Sequence, residues 1–320
     1  MTQAPYTPAD LRTAAAVAIR APSLHNSQPW LWRLRDGAIE VLIDEQRQLS
    51  VADHTGWAAR IACGAALFNA RLALAVNGTP ARVQVRPDVG EPTLVARLTP
   101  GPARPLTTIE GDLFAAIPAR HSNRKPFWPT PVASEQRVRL VEAAREEGAW
   151  LEVLVGMLPL TLLAEIARSA DKVLTRDPDY RAELSQWVRT DSAPDGVPVT
   201  AGGVAPEPHD LLPQRNYTEH RRPLGRDFEP EPLVAVLGSA GNSAGDQINA
   251  GQALQRVLLT ATSAGLASSM ISQPIEVPTA REQVRRSLRR FGSPQMVLRI
   301  GYGQRGRPTP RRSVDEVIVD

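Results

Sequence analysis

An α+β sandwich made of two related halves is the fold that this 320-residue sequence predicts. Helical and strand patterns are mixed and include a hairpin, rather than alternating strictly as a doubly wound sheet requires. A fifteen-residue stretch also recurs: Gly64–Gly78 aligns without gaps on Gly251–Gly265. Both copies begin and end in Gly, with Ala and Leu at the third and fourth places and Leu at the ninth. The length is about two domains' worth at roughly 150 residues each, and an apolar fraction of 42% is ample for a core.

The elements follow in order. Thr7-Pro8 with Asp10 opens a helix to Arg20, a cap followed by proline at the first helical position. Trp30–Arg35 and Ala38–Asp44 flank Asp36-Gly37, a hairpin signal. Gly56–Asn77 reads as a long apolar helix closed by Gly78, followed by strands at Arg82–Arg86 and Thr93–Leu98. Thr107-x-x-Glu110 is a capping box for a helix to Ile117. An irregular polar stretch, Arg120–Pro126, precedes a helix at Ser134–Glu147 and a strand at Trp150–Val155. Helices are expected at Pro159–Thr175, Pro178–Arg189 and Asp246–Ala264, with a strand at Leu233–Gly238. Thr279-x-x-Glu282 is expected to cap a last helix to Arg290, before a final strand at Gln295–Ile300. Between Thr190 and Glu231 seven prolines remove all periodicity. Stretches of this length are linkers or functional lids, and Tyr217, His209, His220, Arg215, Arg221, Arg222 and Phe228 favour a lid or partner-wrapping arm over a surface excursion.

Charge excludes some partners. Lys+Arg 37 against Asp+Glu 34 leaves +3, and only Lys125 and Lys172 are lysines. Arginine raises the pI without implying a polyanion. The basic residues are interspersed with the acids, which argues against nucleic acid. Cys63 is the single cysteine, which rules out an internal disulfide, a Cys-rich zinc site and a cysteine-ligated cluster. The five histidines show no metal-ligand spacing, so no metal is expected. Met1–Arg20 lacks the basic and apolar regions of a secretory signal, and the longest uncharged run, Val257–Ile275, is too polar to span a membrane. A cytoplasmic protein is expected.

Gly301-Tyr302-Gly303-Gln304-Arg305-Gly306 matches G-x-G-x-x-G, but Pro308 and Pro310 forbid the helix a dinucleotide turn must open. No G-x-S-x-G elbow is present. Three other segments carry chemistry. Arg120-His121-Ser122-Asn123-Arg124, if extended, projects two guanidinium forks and a hydroxyl to one side, a set suited to a terminal phosphate. Pro310-Arg311-Arg312 offers further positive charge. Pro22-Ser23-Leu24-His25-Asn26-Ser27-Gln28-Pro29-Trp30 places dense hydrogen-bonding groups between two prolines, suited to the polar edge of a flat heterocycle.

That nonapeptide resembles the P-S-x-x-N-x-Q-P-W signature of FMN-dependent nitroreductases, with every defining position present. Arg120–Arg124 is similar to the family's R-x-S-x-R/K phosphate motif. Ser272-Gln273-Pro274-Ile275-Glu276 resembles the turn near flavin N5, and Arg311-Arg312 resembles its basic C-terminal pair. The motifs span Pro22–Arg312, but each half holds only part of the set. The order resembles the Acg family, fused nitroreductase-like proteins of actinobacteria. Some Acg members cover the flavin with a lid, lack ordinary nitroreductase activity and are thought to sequester flavin.

The resemblance implies a nitroreductase-like internal pseudo-dimer, residues 1–104 and 105–320, with a lid-like insertion at 190–231 and one FMN site between halves. It implies that Arg120, Ser122, Arg124, Arg311 and Arg312 hold phosphate, and that Pro22, Ser23, Leu24, His25, Asn26 and Gln28 meet the ring and ribityl chain. It also implies that Gln273, Pro274, Ile275 and Glu276 form the N5 turn, with an amide near Glu276 facing N5. The function implied is FMN-binding NAD(P)H-dependent reduction of nitroaromatics or quinones. The alternative is flavin storage under a closed lid with little turnover. Either a monomer or a homodimer is compatible with this arrangement.

Overall fold

The computed structural model describes residues 4–203, 210–217 and 233–320. Thr7 and Asp10 form a reciprocal capping box that starts α1 (Pro8–Ala18). Asp36 and Gly37, with φ of 52° and 69°, make the turn joining β1 (Trp30–Arg35) to β2 (Ala38–Ile43). The Asp53 carboxylate accepts from the Ala58 and Ala59 N–H groups, both at 2.8 Å, and so caps α2 (Trp57–Val76). The helix ends before Gly78, whose φ is 81°. β3 (Ala81–Val85) and β4 (Leu94–Pro100) complete an antiparallel sheet of order β1-β2-β4-β3.

After residues 101–107 a second set begins with α3 (Thr108–Ala116) and α4 (Ser134–Glu146), then β5 (Trp150–Val153). α5 (Met157–Arg176) and α6 (Pro178–Gln186) follow, and the short parallel pair β6 (Val188–Arg189) and β7 (Val197–Pro198) opens the insertion. β8 (Leu233–Ser239), α7 (Ala244–Ser263), β9 (Ala267–Ile271), α8 (Gln273–Glu276), α9 (Pro278–Ser287), β10 (Ser293–Gly301) and α10 (Val314–Val317) end the chain. The second sheet has the order β5-β8-β10-β9 and is again antiparallel. It repeats the first sheet strand for strand, with α7 in the place of α2 and α4 in the place of α1.

The repeated helices α2 and α7 pack on each other at their first repeat glycines. A Cβ on Gly64 would lie 2.1 Å from the Ile248 carbonyl oxygen, and one on Gly251 would lie 2.2 Å from that of Ile61. Ile61 and Ile248 each stand three residues before their glycine, so the contact is two-fold symmetric. Each sheet has its own core, and each core takes residues from the other half's long helix. α2 is long and apolar enough to cross a membrane, but most of it is buried inside the protein.

Four expectations are corrected. The last predicted helix starts at Pro278 with no side-chain cap, and Glu282 instead pairs with Arg285 and Arg286. It ends at Ser287, and Ser313 caps a further short helix, α10. The polar pair Ser268 and Ser269 hides β9 in the sequence; both are buried because β10 covers one edge of the strand and Ser122 bridges the other. α6 stops at Gln186 rather than Arg189, because Val188–Arg189 pairs with β7.

The insertion is less irregular than its composition suggests. Residues 190–203 and 210–217 are ordered against the body, while His209, His220, Arg221, Arg222 and Phe228 lie outside the described residues. The chain's end also crosses between halves. Ile318 bridges Trp32, and Val319 N–H donates to the Trp32 carbonyl at 2.9 Å, which ties the tail of the second half to β1 of the first.

The helix crossing predicts opposite signs for two glycine substitutions. Gly251→Ala should lose about 1–3 kcal/mol by overpacking, despite the better helix propensity of alanine. Gly111→Ala in α3, where the nearest atom is 3.8 Å away, should gain up to about 1 kcal/mol. Urea unfolding midpoints measure both, and equal effects would refute the close crossing.

Candidate functional site

A cavity with about 920 Å³ of empty space, its open mouth included, lies between the halves. One wall is the loop Pro22–Asn26 with the first turns of α2, at Trp57, Ala58, Ile61 and Ala62. The facing wall is Arg120–Ser122 with Arg124, the end of β9 through Ser272, and Leu254 of α7. The tail adds Arg307, Thr309 and Arg311, and the insertion adds Val197 and Tyr217.

The loop is held in an unusual backbone conformation. His25, Asn26 and Gln28 have φ of 51°, 58° and 55°, a strain of roughly 1–3 kcal/mol per residue when the surroundings impose it. Ser23 Oγ accepts from the Gln28 N–H at 2.9 Å. Gln28 Oε1 accepts from the Arg312 N–H, and its Nε2 donates to the Pro194 carbonyl, both at 2.9 Å. Asn26 Nδ2 donates to the carbonyls of Gly196 at 2.9 Å and Pro310 at 3.0 Å, while its Oδ1 accepts from Arg311 at 2.9 Å. The loop is therefore clamped by both the tail and the insertion.

Opposite the loop, Ser122 bridges Ser268 in parallel, and the Asn123 N–H donates to the Ser268 carbonyl at 2.8 Å. The phosphate-like motif is thus laid along the edge strand β9. The glycines of the G-x-G-x-x-G match permit that arrangement. A Cβ on Gly306 would lie 2.5 Å from the Ser122 carbonyl oxygen, and one on Gly301 2.7 Å from Phe127. No helix follows, so the glycines serve close packing.

Charge is unbalanced in the cavity. Four arginines line it, Arg120, Arg124, Arg307 and Arg311, and none of the described lining residues is acidic. Arg120 is buried; among the described residues its Nη2 donates to the Arg20 carbonyl at 3.2 Å and its Nε has no partner. Burial pulls its pKa from 12.5 to about 10. Burial, with the charges of Arg120 and Arg20, pulls Arg311 down to about 9, and its Nε is likewise unpartnered. Burial and the charges of Arg120, Arg311 and Arg20 lower His121 to about 4. Buried cations without carboxylates form a site short of a negative charge. The orphaned Arg120 Nε–H marks where an anion's oxygen would be satisfied.

A second group of cations surrounds His25. Burial, Arg215 and Arg124 hold its pKa well below the ordinary value, so the ring is neutral. Its Nδ1 lies 3.0 Å from the Tyr217 hydroxyl, and the two rings meet edge to face. The Arg124 guanidinium sits over the Tyr217 ring, 4.8 Å from its centre, and donates to the Ala201 carbonyl at 2.9 Å. Arg215 is buried in an ion pair with Glu276 at 2.6 Å.

Of the predicted site residues, Pro22, Ser23, Leu24, His25, Asn26, Arg120, Ser122, Arg124 and Arg311 line the one cavity. The other six do not. Gln28 is wholly buried as a tie between loop, tail and insertion. Arg312 donates to Asp44 and the Gln28 carbonyl, and so fastens the tail to the first half. Gln273 reaches towards Asp171, and Pro274 and Ile275 are buried in α8. Glu276 faces Arg215, and its amide donates to the Ser272 carbonyl. Ser272, the first residue of that turn, is the member that lines the cavity. His121, Arg307, Thr309 and Trp57 also line it and were not foreseen. In so arginine-rich a chain Arg307 carried no signal, whereas His121 lies inside the motif already singled out. Among the described residues no group of His, Cys, Asp or Glu is placed to hold a metal ion.

No family model matches the chain. Curated relatives do. It is 31% identical to "Putative NAD(P)H nitroreductase acg" of Mycobacterium tuberculosis, over 96% of this chain and 95% of that protein. It is 32% identical to "Putative NAD(P)H nitroreductase Rv3131" of the same organism, over 96% and 90%. Among solved structures, a nitroreductase with bound FMN from Desulfitobacterium hafniense matches with a TM-score of 0.42 and 15% identity, over 64% of this chain and 96% of that one. The fold and the cavity between its halves define a fused nitroreductase-like protein. The chain belongs to the Acg-like branch of the nitroreductase family.

Two predictions follow from the charge imbalance. Without ligand, Arg120→Met should be at least as stable as the parent, because it removes an unpaired buried charge. It should also lose most of the thermal stabilisation that inorganic phosphate confers, which differential scanning fluorimetry measures. For His121, a folded-state pKa of about 4 against 6.5 contributes stability that is present above pH 6.5 and lost as pH falls towards 4. A bound anion offsets the arginine field, so an NMR titration should show the His121 pKa rising when phosphate is added.

Proposed function

We propose that this chain binds FMN in the cavity and acts as an NAD(P)H-dependent oxidoreductase that reduces nitroaromatics or quinones. The observation that carries the reading is a pair of guanidinium groups, Arg120 buried and Arg311 half-buried, with no carboxylate partner among the described residues. A dianionic terminal phosphate is the ligand that such a pair lacks. The named activity of the relatives supports the same choice.

Arg120, Arg311 and Ser122 would hold the phosphate. Arg124 stands with Tyr217 and His25 instead, and we assign it to the flat ring system rather than to the phosphate. Asn26, fixed by Arg311 and by the Pro310 and Gly196 carbonyls, positions the loop against that ring. Trp57, Ile61, Leu254 and Met296 supply apolar walls that exclude water. When bound, FMN supplies the two-electron chemistry at N5. The protein binds, orients and shields it. Residues from both halves line the cavity, so a single chain suffices to form it. We place the boundary between halves at 104/105, in the unstructured stretch before α3, and the protein in the cytoplasm.

A second reading, flavin storage under a lid, has its own support. The insertion is fastened across the cavity by Gly196 on Asn26, Pro194 on Gln28, Ala201 on Arg124 and Arg215 on Glu276. We propose that residues 190–231 form that lid.

The test is an absorbance spectrum of the purified protein, followed by anaerobic mixing with NADPH. Yellow protein that bleaches within seconds supports turnover, and yellow protein that stays oxidised supports storage. Colourless protein that also fails to bind added FMN overturns both. Arg120→Met should weaken FMN at least tenfold while leaving riboflavin affinity within about twofold, one good charge-assisted contact being worth more than 1.4 kcal/mol.

A further inference from the structure

The side chain of Tyr217 occupies the cavity as a ligand would. It comes from the insertion, 192 positions from His25, yet it meets three kinds of recognition at once. Its hydroxyl is 3.0 Å from His25 Nδ1, its ring edge meets the imidazole at an interplanar angle of 76°, and the Arg124 guanidinium lies over its face at 4.8 Å. Each partner is prepared. His25 is buried, held by a left-handed backbone and neutral, so its ring nitrogen can accept from a hydroxyl. Arg124 has no carboxylate partner among the described residues, so its charge is free to lie on a π face.

A smaller cavity continues behind Tyr217. It is lined by Arg124, Arg215, Gln273 and Ser272 and shares Arg124, Tyr217 and Ser272 with the main one. The phenol ring thus borders both spaces. The backbone approach is close: a Cβ on Gly202 would lie 2.8 Å from Tyr217 Cβ. The insertion is therefore shaped to deliver this ring to this place.

From these contacts we propose that the seat of Tyr217 is a binding subsite for hydroxyaryl molecules, the phenols, quinols and hydroxyquinones, which compete with Tyr217 for it. The ring lies under Arg124 and the oxygen bonds His25 Nδ1. Of these molecules, the hydroxyquinones can accept the two electrons of the oxidoreductase reading, on which that role in turnover rests, whereas phenols and quinols are already reduced and bind as product-like occupants. The subsite shares Arg124 and His25 with the residues assigned to the flavin, so its occupancy is measured with FMN absent and present. Reactants without an oxygen at that position gain the cation–π contact alone and bind more weakly.

The test uses p-cresol, the side chain of tyrosine, as the probe, with 4-methylanisole as the control that cannot donate a hydrogen bond. Titration calorimetry is run on the full chain, with and without FMN. Tyr217→Ala should bind p-cresol with a dissociation constant at least tenfold below that of the parent, and 4-methylanisole at least tenfold more weakly than p-cresol. Adding Arg124→Met or His25→Ala to Tyr217→Ala should each weaken p-cresol. Tyr217→Phe keeps the packing but loses the bond to His25, so it should bind p-cresol at least threefold more tightly than the parent even if the alanine variant unfolds. Equal binding of cresol and its methyl ether, or no gain in either variant, overturns the proposal. Failure to bind phenol with FMN binding intact refutes this subsite alone, and the converse refutes the flavin reading alone.

Discussion

The backbone-to-backbone crossing of α2 and α7 sets every distance in the molecule that matters for the site. Gly64 and Gly251 let the two helices approach until a single methyl group would strike the opposite carbonyl oxygen. Each helix then carries residues of both cores, and each sheet is oriented by the helix it shares. The cavity is a consequence. Its floor is made by Trp57, Ala58 and Ile61 at the start of one helix and Leu254 within the other, so a shift of the crossing would open or close it directly.

Around that rigid centre the cavity is held together by polar ties. The tail crosses from the second half to the first, where Arg312 reaches Asp44 and Ile318 joins Trp32. The insertion crosses the same gap through Pro194, Gly196 and Ala201. Both ties converge on the strained loop at His25–Gln28. Strain and unpaired charge together cost stability at this one place, as expected where a protein is shaped for a ligand rather than for itself. Hydrogen bonds hold the N–H groups of Asn26, Ser27 and Gln28, and among the described residues the Nε–H groups of Arg120 and Arg311 stay unmet.

Most of the fold was legible because it is local. Capping boxes at Thr7 and Thr107, the Asp36-Gly37 turn and the glycine stops of α2 are each decided by neighbours within a few residues. The repeat was legible too, since a glycine needed for close helix contact must appear in both helices. What escaped notice depended on distant partners. β9 is a strand because β10 lies beside it, not because Ser268-Ser269 prefers one. Gln28, Arg312 and Glu276 lie off the cavity lining, where Pro194, Asp44 and Arg215 hold them, and those partners are distant in sequence. Tyr217 reaches His25 only through tertiary folding of a segment with no periodicity of its own.

The helix crossing has one more consequence. Four residues before each repeat glycine stand Arg60 and Gln247, and they bond to each other across the axis, Arg60 Nε donating to Gln247 Oε1. In a pair of identical subunits a residue beside a two-fold axis meets its own copy, and an arginine there would meet an arginine. Joining the halves in one chain removes that constraint. Each gene position then specifies one atom set instead of two, so a donor can be matched with an acceptor on the axis and the two sides can diverge. More than two turns further along, Gln255 donates to Asn69, whereas the symmetry-related Phe68 and Arg256 meet as ring and guanidinium.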